Sequence, residues 1–268
     1  MSQSSKRERS RAARAARQEA LHRRKIARIV AVGVVLALVV GIALLSAGGG
    51  NGGDGGNGAQ DEPEPTEQDL GVACDGEAPP DADAQQYQQP PEMALEDGVD
   101  YQAVISTSCG DIEVDLLEED APITVNNFVF LAQDGYFNGL TWHRISSNFV
   151  IQSGDPNGQN GVEPDGPGYT IKDELPKQAN GYVFGALAMA NTGAQNSGGS
   201  QFFIVTHEPR GKPAGLPQVY SIFGTVAESS FDVVEQLANL ETKGGNDPVQ
   251  AEQPVVPAYI NSIEIIEA

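Results

Sequence analysis

Nineteen consecutive residues without a charge, IVAVGVVLALVVGIALLSA from Ile29 to Ala47, divide this chain of 268 residues into parts that meet different solvents. A helix of that length reaches across the hydrocarbon layer of a bilayer. Ten of the 16 Lys and Arg residues lie before it, within residues 1–28, against only two acids, Glu8 and Glu19. Basic flanks stay on the cytoplasmic side. Residues 1–28 are therefore expected in the cytoplasm, 29–47 as a single-pass transmembrane signal anchor in the cell membrane, and all that follows as extracytoplasmic. Ser46, Ala47 and Gly48 keep a cleaved secretory leader open as the other reading. The long basic segment, the long apolar run and Leu45 favour retention.

Beyond residue 28 only six bases face 35 acids, a net charge of −29. A body so acidic repels phosphate backbones, which argues against a nucleic-acid partner. Two cysteines and three scattered histidines, His22, His143 and His207, show no metal-ligand spacing, so neither metal nor cofactor is expected. Cys74 and Cys109 both follow the apolar run. In an oxidising compartment they can form a disulfide, and two free buried thiols are the alternative.

Residues 48–100 open with GGGNGGDGGNGAQDEPEPTEQ and carry further prolines at Pro79, Pro80, Pro90 and Pro91. Such a stretch buries too little apolar surface to offset the entropy of ordering it, and a disordered tether with a reach of roughly 40 Å is expected. The glycines follow no strand and precede no Gly-Lys-Ser/Thr, which removes a phosphate loop from consideration.

The texture changes at Tyr101. In YQAVISTSCGDIEVDLL, Ile112, Val114 and Leu116 alternate with Asp111, Glu113 and Asp115, as in a strand with one wet face, and Ser108 to Gly110 mark a hairpin turn. Ala121 to Asp134 puts Val125, Phe128, Val129 and Ala132 at helical spacing, with Pro122 near the start and Gly135 just past the end. Glu118, Glu119 and Asp120 are expected to favour the positive end of this helix. FVIQSG, ALAMA, QFFIVT, YSIFGTV and YINSIEIIE read as further strands, and a second helix is expected near Phe231 to Asn239. Residues 101–268 are thus expected to form one mainly β domain, a closed barrel without exposed strand edges.

Two segments carry the candidate chemistry. TWHRISSNFVIQSGDPNG, Thr141 to Gly158, holds His143, Arg144, Phe149, Val150 and Gln152, with Phe149 and Ile151 read as pointing to opposite faces. ALAMANTGAQNSGGSQFFIV supplies Ala190, Asn191, Gln201 and Phe203. Singly, each has a bland explanation: a strand Arg is usually a solvated edge charge, and His207 in THEPRGKP a loop residue. Together with FNGLTWHRI, GYTIKDEL and VYSIFGTV, in this order from Val104 to about Glu267, they make the chain resemble the cyclophilin-type peptidyl-prolyl cis/trans isomerases.

That resemblance implies an eight-stranded antiparallel barrel capped by two helices, with a groove on its outer face. Proline-containing polypeptides would be the partners of a monomeric domain. Arg144 would be the catalytic guanidinium, supported by His143, Gln152 and Phe149, with Gln201 completing a polar wall and Ala190 and Asn191 offering backbone contacts. Phe149, Val150, Phe203 and Leu216 would line a proline pocket, with Tyr220 where many relatives have His. The sequence departs from its relatives at Val150, where Met is common, at Trp142, where Phe is common, and at Gly215, where Trp is common. The last departure implies poor binding of cyclosporin. The function so implied is isomerisation of X-Pro bonds during the folding of extracytoplasmic proteins. A Pro-peptide-binding or chaperone module with little turnover is the alternative.

Overall fold

A computed structural model describes residues 71–80, 85–157, 166–177 and 181–267. The apolar run at 29–47, expected as a transmembrane anchor, and the segment at 1–28, expected in the cytoplasm, lie outside the described residues, and among those described no helix is long and apolar enough to cross a membrane.

Strand β1 (Tyr101–Thr107) turns through Ser108 and Cys109 into β2 (Gly110–Leu116), pairing Thr107 with Gly110, as the hairpin pattern predicts. Helix α1 spans Pro122–Gln133. It ends where Gly135, at φ +76°, donates its N–H to the Ala132 carbonyl and Tyr136 donates to that of Leu131. This left-handed glycine cap is open to few other residues. The carboxylate at the start of α1 differs from expectation. Ile123 and Thr124 donate their N–H groups to Glu174, 3.0 and 2.8 Å away, so an acid brought in by the tertiary fold occupies the positive end that Glu118, Glu119 and Asp120 were expected to serve.

Strands β3 (Arg144–Ser146), β4 (Val150–Ser153), β5 (Ala186–Met189), β6 (Phe202–Val205) and β7 (Ile222–Val226) follow, then helix α2 (Phe231–Ala238), the single turn α3 (Pro248–Ala251) and β8 (Ile260–Glu267). All pair antiparallel in one sheet, in the order β3-β4-β6-β5-β7-β2-β1-β8. The core fills the concave side, where Phe128 of α1 packs on Phe202 and Phe223, and Trp142 meets Phe202 edge to face. Trp142 is wholly buried there.

The sheet is curled but not closed, which corrects the expectation of a closed barrel. Its end strands β3 and β8 do not ladder together. The chain before each approaches its counterpart through one bridge, Thr141 with Tyr259, and through hydrogen bonds from Gly139 to Ile260 and from Trp142 to Ala258. Farther along, Pro254 and Pro257 interrupt the segment leading into β8, and neither has an N–H to give a ladder. The exposed edge of β3 bonds instead to the Glu252 backbone, Ile145 N–H to Glu252 carbonyl at 2.7 Å.

The expected tether is pinned in its described part. Residues 71–80 and 85–100 hold little regular structure, yet they lie against the domain. Ala73 is buried and donates to Pro257; Cys74 is bonded to Cys109 in the β1–β2 turn. Tyr87 donates its hydroxyl to Asp134 and sets its ring on Phe130, and the buried Asn126 holds the strap backbone on both sides through Ala94 and Glu92. The disulfide closes a loop with a sequence separation of 35, which removes denatured-state entropy equivalent to roughly 4 kcal/mol.

Candidate active site

Alternation along the short strands builds the site. On β3, β4, β5 and β6 one set of side chains, Ile145, Ile151, Leu187, Phe202 and Ile204, enters the core. The intervening set faces outward. Pairing across the sheet aligns Arg144 with Gln152, Gln152 with Phe203, and Phe203 with Ala188, so one cross-strand row runs from a cation through an amide to an apolar floor.

The apolar part is a second cluster, separate from the core. Val150, Tyr182, Ala186, Ala188, Phe203 and Val205 are buried in it, and Phe149, Ala190, Leu216 and Tyr220 pack around them while remaining partly exposed. Phe203 stands edge-on to Tyr220, centroids 5.2 Å apart. The Tyr182 hydroxyl donates to the Tyr220 carbonyl at 2.8 Å and accepts from the Tyr220 N–H at 3.2 Å, fixing the segment that carries Leu216 and Tyr220. Phe149 and Ile151 do face opposite ways, although residues two apart on a regular strand would not. Asn148 takes a left-handed φ of 54°, and regular alternation begins only at Val150.

The polar part is a chain of hydrogen bonds. Arg144 Nη1 donates to Gln152 Oε1 at 3.2 Å, Gln152 Nε2 donates to Gln201 Oε1 at 2.7 Å, and Gln201 Nε2 donates to Asp155 Oδ2 at 3.2 Å. At the other end Arg144 Nε donates to Glu252 Oε2 at 2.5 Å. An ionised carboxylate only accepts, so Asp155 dictates which way both glutamine amides turn. Burial pushes the Asp155 carboxyl above the usual range, opposed by the hydrogen bond from the Asn157 backbone. Burial also acts to raise Glu252, but hydrogen bonds from Ser146 and Arg144 and the guanidinium charge outweigh it, and Glu252 titrates below the usual carboxylate range.

Gly154, between Gln152 and Asp155, has φ +88°, and a Cβ there would meet the Ser200 carbonyl oxygen at 2.4 Å. Only glycine lets β4 pass this close to the strand that brings in Gln201.

His143 does not join the expected polar wall. It is buried, and among the described residues neither ring nitrogen has a partner in hydrogen-bond geometry, although the nearby Thr141 backbone favours the charged ring. Burial and then the Arg144 charge lower its pKa to about 4, so the ring is neutral at pH 7 and offers no acid or base to the groove. Asn191 accepts from the Gly193 N–H in its own loop and donates to the Val219 carbonyl in the segment that carries Leu216 and Tyr220. Asp155, Tyr182 and Glu252 were missed by sequence reasoning. Asp155 follows Gln152 closely enough to have been suspected, whereas Glu252 is 108 residues from Arg144 and gives no local signal.

A model of the family described as cyclophilin type peptidyl-prolyl cis-trans isomerase/CLD matches residues 102–265. The chain belongs to that family. Among curated cyclophilin relatives, a peptidyl-prolyl cis-trans isomerase of Synechococcus elongatus is 43% identical over 139 residues, which cover 52% of this chain and 89% of that protein. Peptidyl-prolyl isomerase CWC27 of Cryptococcus neoformans var. neoformans is 33% identical over 174 residues, covering 65% of this chain; the chain thus spans only 33% of that longer protein. A solved cyclophilin type isomerase of Cryptosporidium parvum, crystallised in the presence of the dipeptide ala-pro, is similar with a TM-score of 0.53 and 28% identity, over 62% of this chain and 98% of that one.

Proposed function

We propose that this chain accelerates cis/trans isomerisation of X-Pro bonds, with Arg144 hydrogen bonding to the twisted amide, and that it serves extracytoplasmic proteins from a membrane anchor at 29–47. The observation that carries the reading is the juxtaposition of a half-buried guanidinium, its side chain 26% exposed, with the partly exposed apolar cluster around Phe203 on the same outer face. Support for the location comes from the uncharged 19-residue run, its basic flank and the Cys74–Cys109 disulfide, a bond that persists in oxidising compartments.

The physics asks for little else. The amide resists rotation by about 18 to 20 kcal/mol because its nitrogen lone pair is shared with the carbonyl, and unaided X-Pro bonds turn over in tens to hundreds of seconds. No bond is made or broken, so no nucleophile is required. On twisting, the lone pair localises on nitrogen and becomes an acceptor that the planar amide lacked. Glu252 and Gln152 engage Nε and one Nη1 hydrogen, which among the described residues leaves Nη2 and the second Nη1 hydrogen to donate to it. An interaction available only at the transition state raises kcat, and a charge-assisted hydrogen bond of about 2 to 3 kcal/mol corresponds to roughly 30- to 150-fold. Phe149, Val150, Phe203, Leu216 and Tyr220 hold the proline ring while the preceding carbonyl swings.

The test is the rate of cis-to-trans conversion of an X-Pro peptide by the purified full chain, beside Arg144→Ala. A large acceleration lost on substitution supports the reading. A full-length protein no faster than background would sink it in favour of Pro-peptide binding without turnover.

A further inference from the structure

We propose that Glu252 is a positioning residue for the isomerase reaction, a carboxylate that aims the Arg144 guanidinium into the groove. The inference rests on Arg144 being the donor to the twisted amide. Glu252 comes from the segment between α3 and β8, outside the sequence blocks that carry the resemblance. It reaches Arg144 because the sheet is open at β3. The Ile145 N–H bonds the Glu252 carbonyl at 2.7 Å, which anchors the Glu252 backbone beside the strand, and its side chain then meets Nε at 2.5 Å. Side-chain exposures of 26% and 30% place the pair at the groove's lip, partly shielded from water.

Geometry gives the contact its meaning. A guanidinium is planar, so fixing Nε on one edge and Nη1 on Gln152 determines both the tilt of the plane and the direction of the remaining donors. With Gln152 alone, Arg144 could pivot about a single hydrogen bond at 3.2 Å. Asp155 anchors the far end of the glutamine relay and Glu252 bonds the guanidinium directly, so Arg144 is held on one edge by the relay and on the other by a carboxylate. A side chain held in this way enters the transition state without first being ordered.

The purified full chain is assayed on an X-Pro peptide, with kcat and KM resolved, as Glu252→Ala, Glu252→Gln, Arg144→Ala and the double variant. Glu252→Ala is expected to lower kcat about tenfold with KM changed by less than about twofold, because a misaimed donor affects only the transition state. Glu252→Gln, whose Oε1 can accept from Nε at the same place, is expected to recover most of the rate. In the Arg144→Ala background Glu252→Ala is expected to change nothing further. An unchanged or raised kcat in Glu252→Ala overturns the proposal, as does an equal loss in the Arg144→Ala background. If Glu252→Ala does not fold, Glu252→Met, similar in length but without an acceptor, is read by the same criteria. Full activity in Arg144→Ala would instead refute the role given to Arg144 itself.

Discussion

Phe202 and Phe203 are adjacent on β6 and belong to different structures: Phe202 lies in the core against Phe128, Phe137 and Trp142, while Phe203 lies in the outer cluster beside Tyr220. Both are nearly inaccessible to water, so burial alone does not tell the foundation from the site. What separates them is the company each keeps. The inner side chains pack in the apolar core, while the outer row ends in Arg144, Gln152 and Gln201, which are hydrogen bonded to one another and to two carboxylates. The inner face answers to volume and the outer face to direction.

The largest effect that would sharpen this contrast is Phe202→Ala. Removing a ring that three aromatic neighbours enclose is expected to destabilise the domain by about 4 kcal/mol in denaturant unfolding. Phe203→Ala should cost less stability and raise KM severalfold. Equal losses of stability at the two positions would break the distinction.

His143 and Arg144 repeat the contrast across a single peptide bond. Because His143 titrates near 4 in the folded chain and near 6.5 unfolded, the unfolded state binds more protons between those values. The sign follows: its contribution is complete above about pH 6.5 and is lost as the pH falls toward 4, a swing of about 3 kcal/mol. His143→Leu should flatten that part of the stability curve with activity retained at pH 7. A steep acid dependence surviving in His143→Leu would place the proton uptake elsewhere.

Smaller effects test the outer face alone. Gln201→Leu breaks the relay between Asp155 and Gln152, and kcat should fall about tenfold, near 1.4 kcal/mol, with the unfolding midpoint little changed. Leu216→Ala trims the pocket rim and should raise KM by about 1 kcal/mol or less, since Leu216 is only partly buried. A kcat loss without a KM change at Leu216 would mean that the rim orients the reacting bond rather than holding the ring.

Much of this was legible before any coordinates. Period-two alternation and glycine punctuation located the hairpin, the later strands and both longer helices to within a residue or two, because those signals are local. Phe149, Val150, Gln152, Gln201 and Phe203 were assigned by resemblance, and the register of β3, β4 and β6 brings them together. His143 was misplaced because it lies just before β3 with its ring buried, and a motif read as letters does not say which side chains reach the groove.

The sequence by itself determined the family, the β texture and the two segments that carry the candidate site, since each is written in contiguous residues. Only the tertiary structure decided that the sheet stays open at β3, that residues 71–80 and 85–100 lie against the domain where their composition suggested a free spacer, and that Glu174 and Glu252 reach α1 and Arg144. These are contacts between segments 30 or more residues apart. Whether such segments meet depends on the packing of every element between them, and no local propensity encodes it.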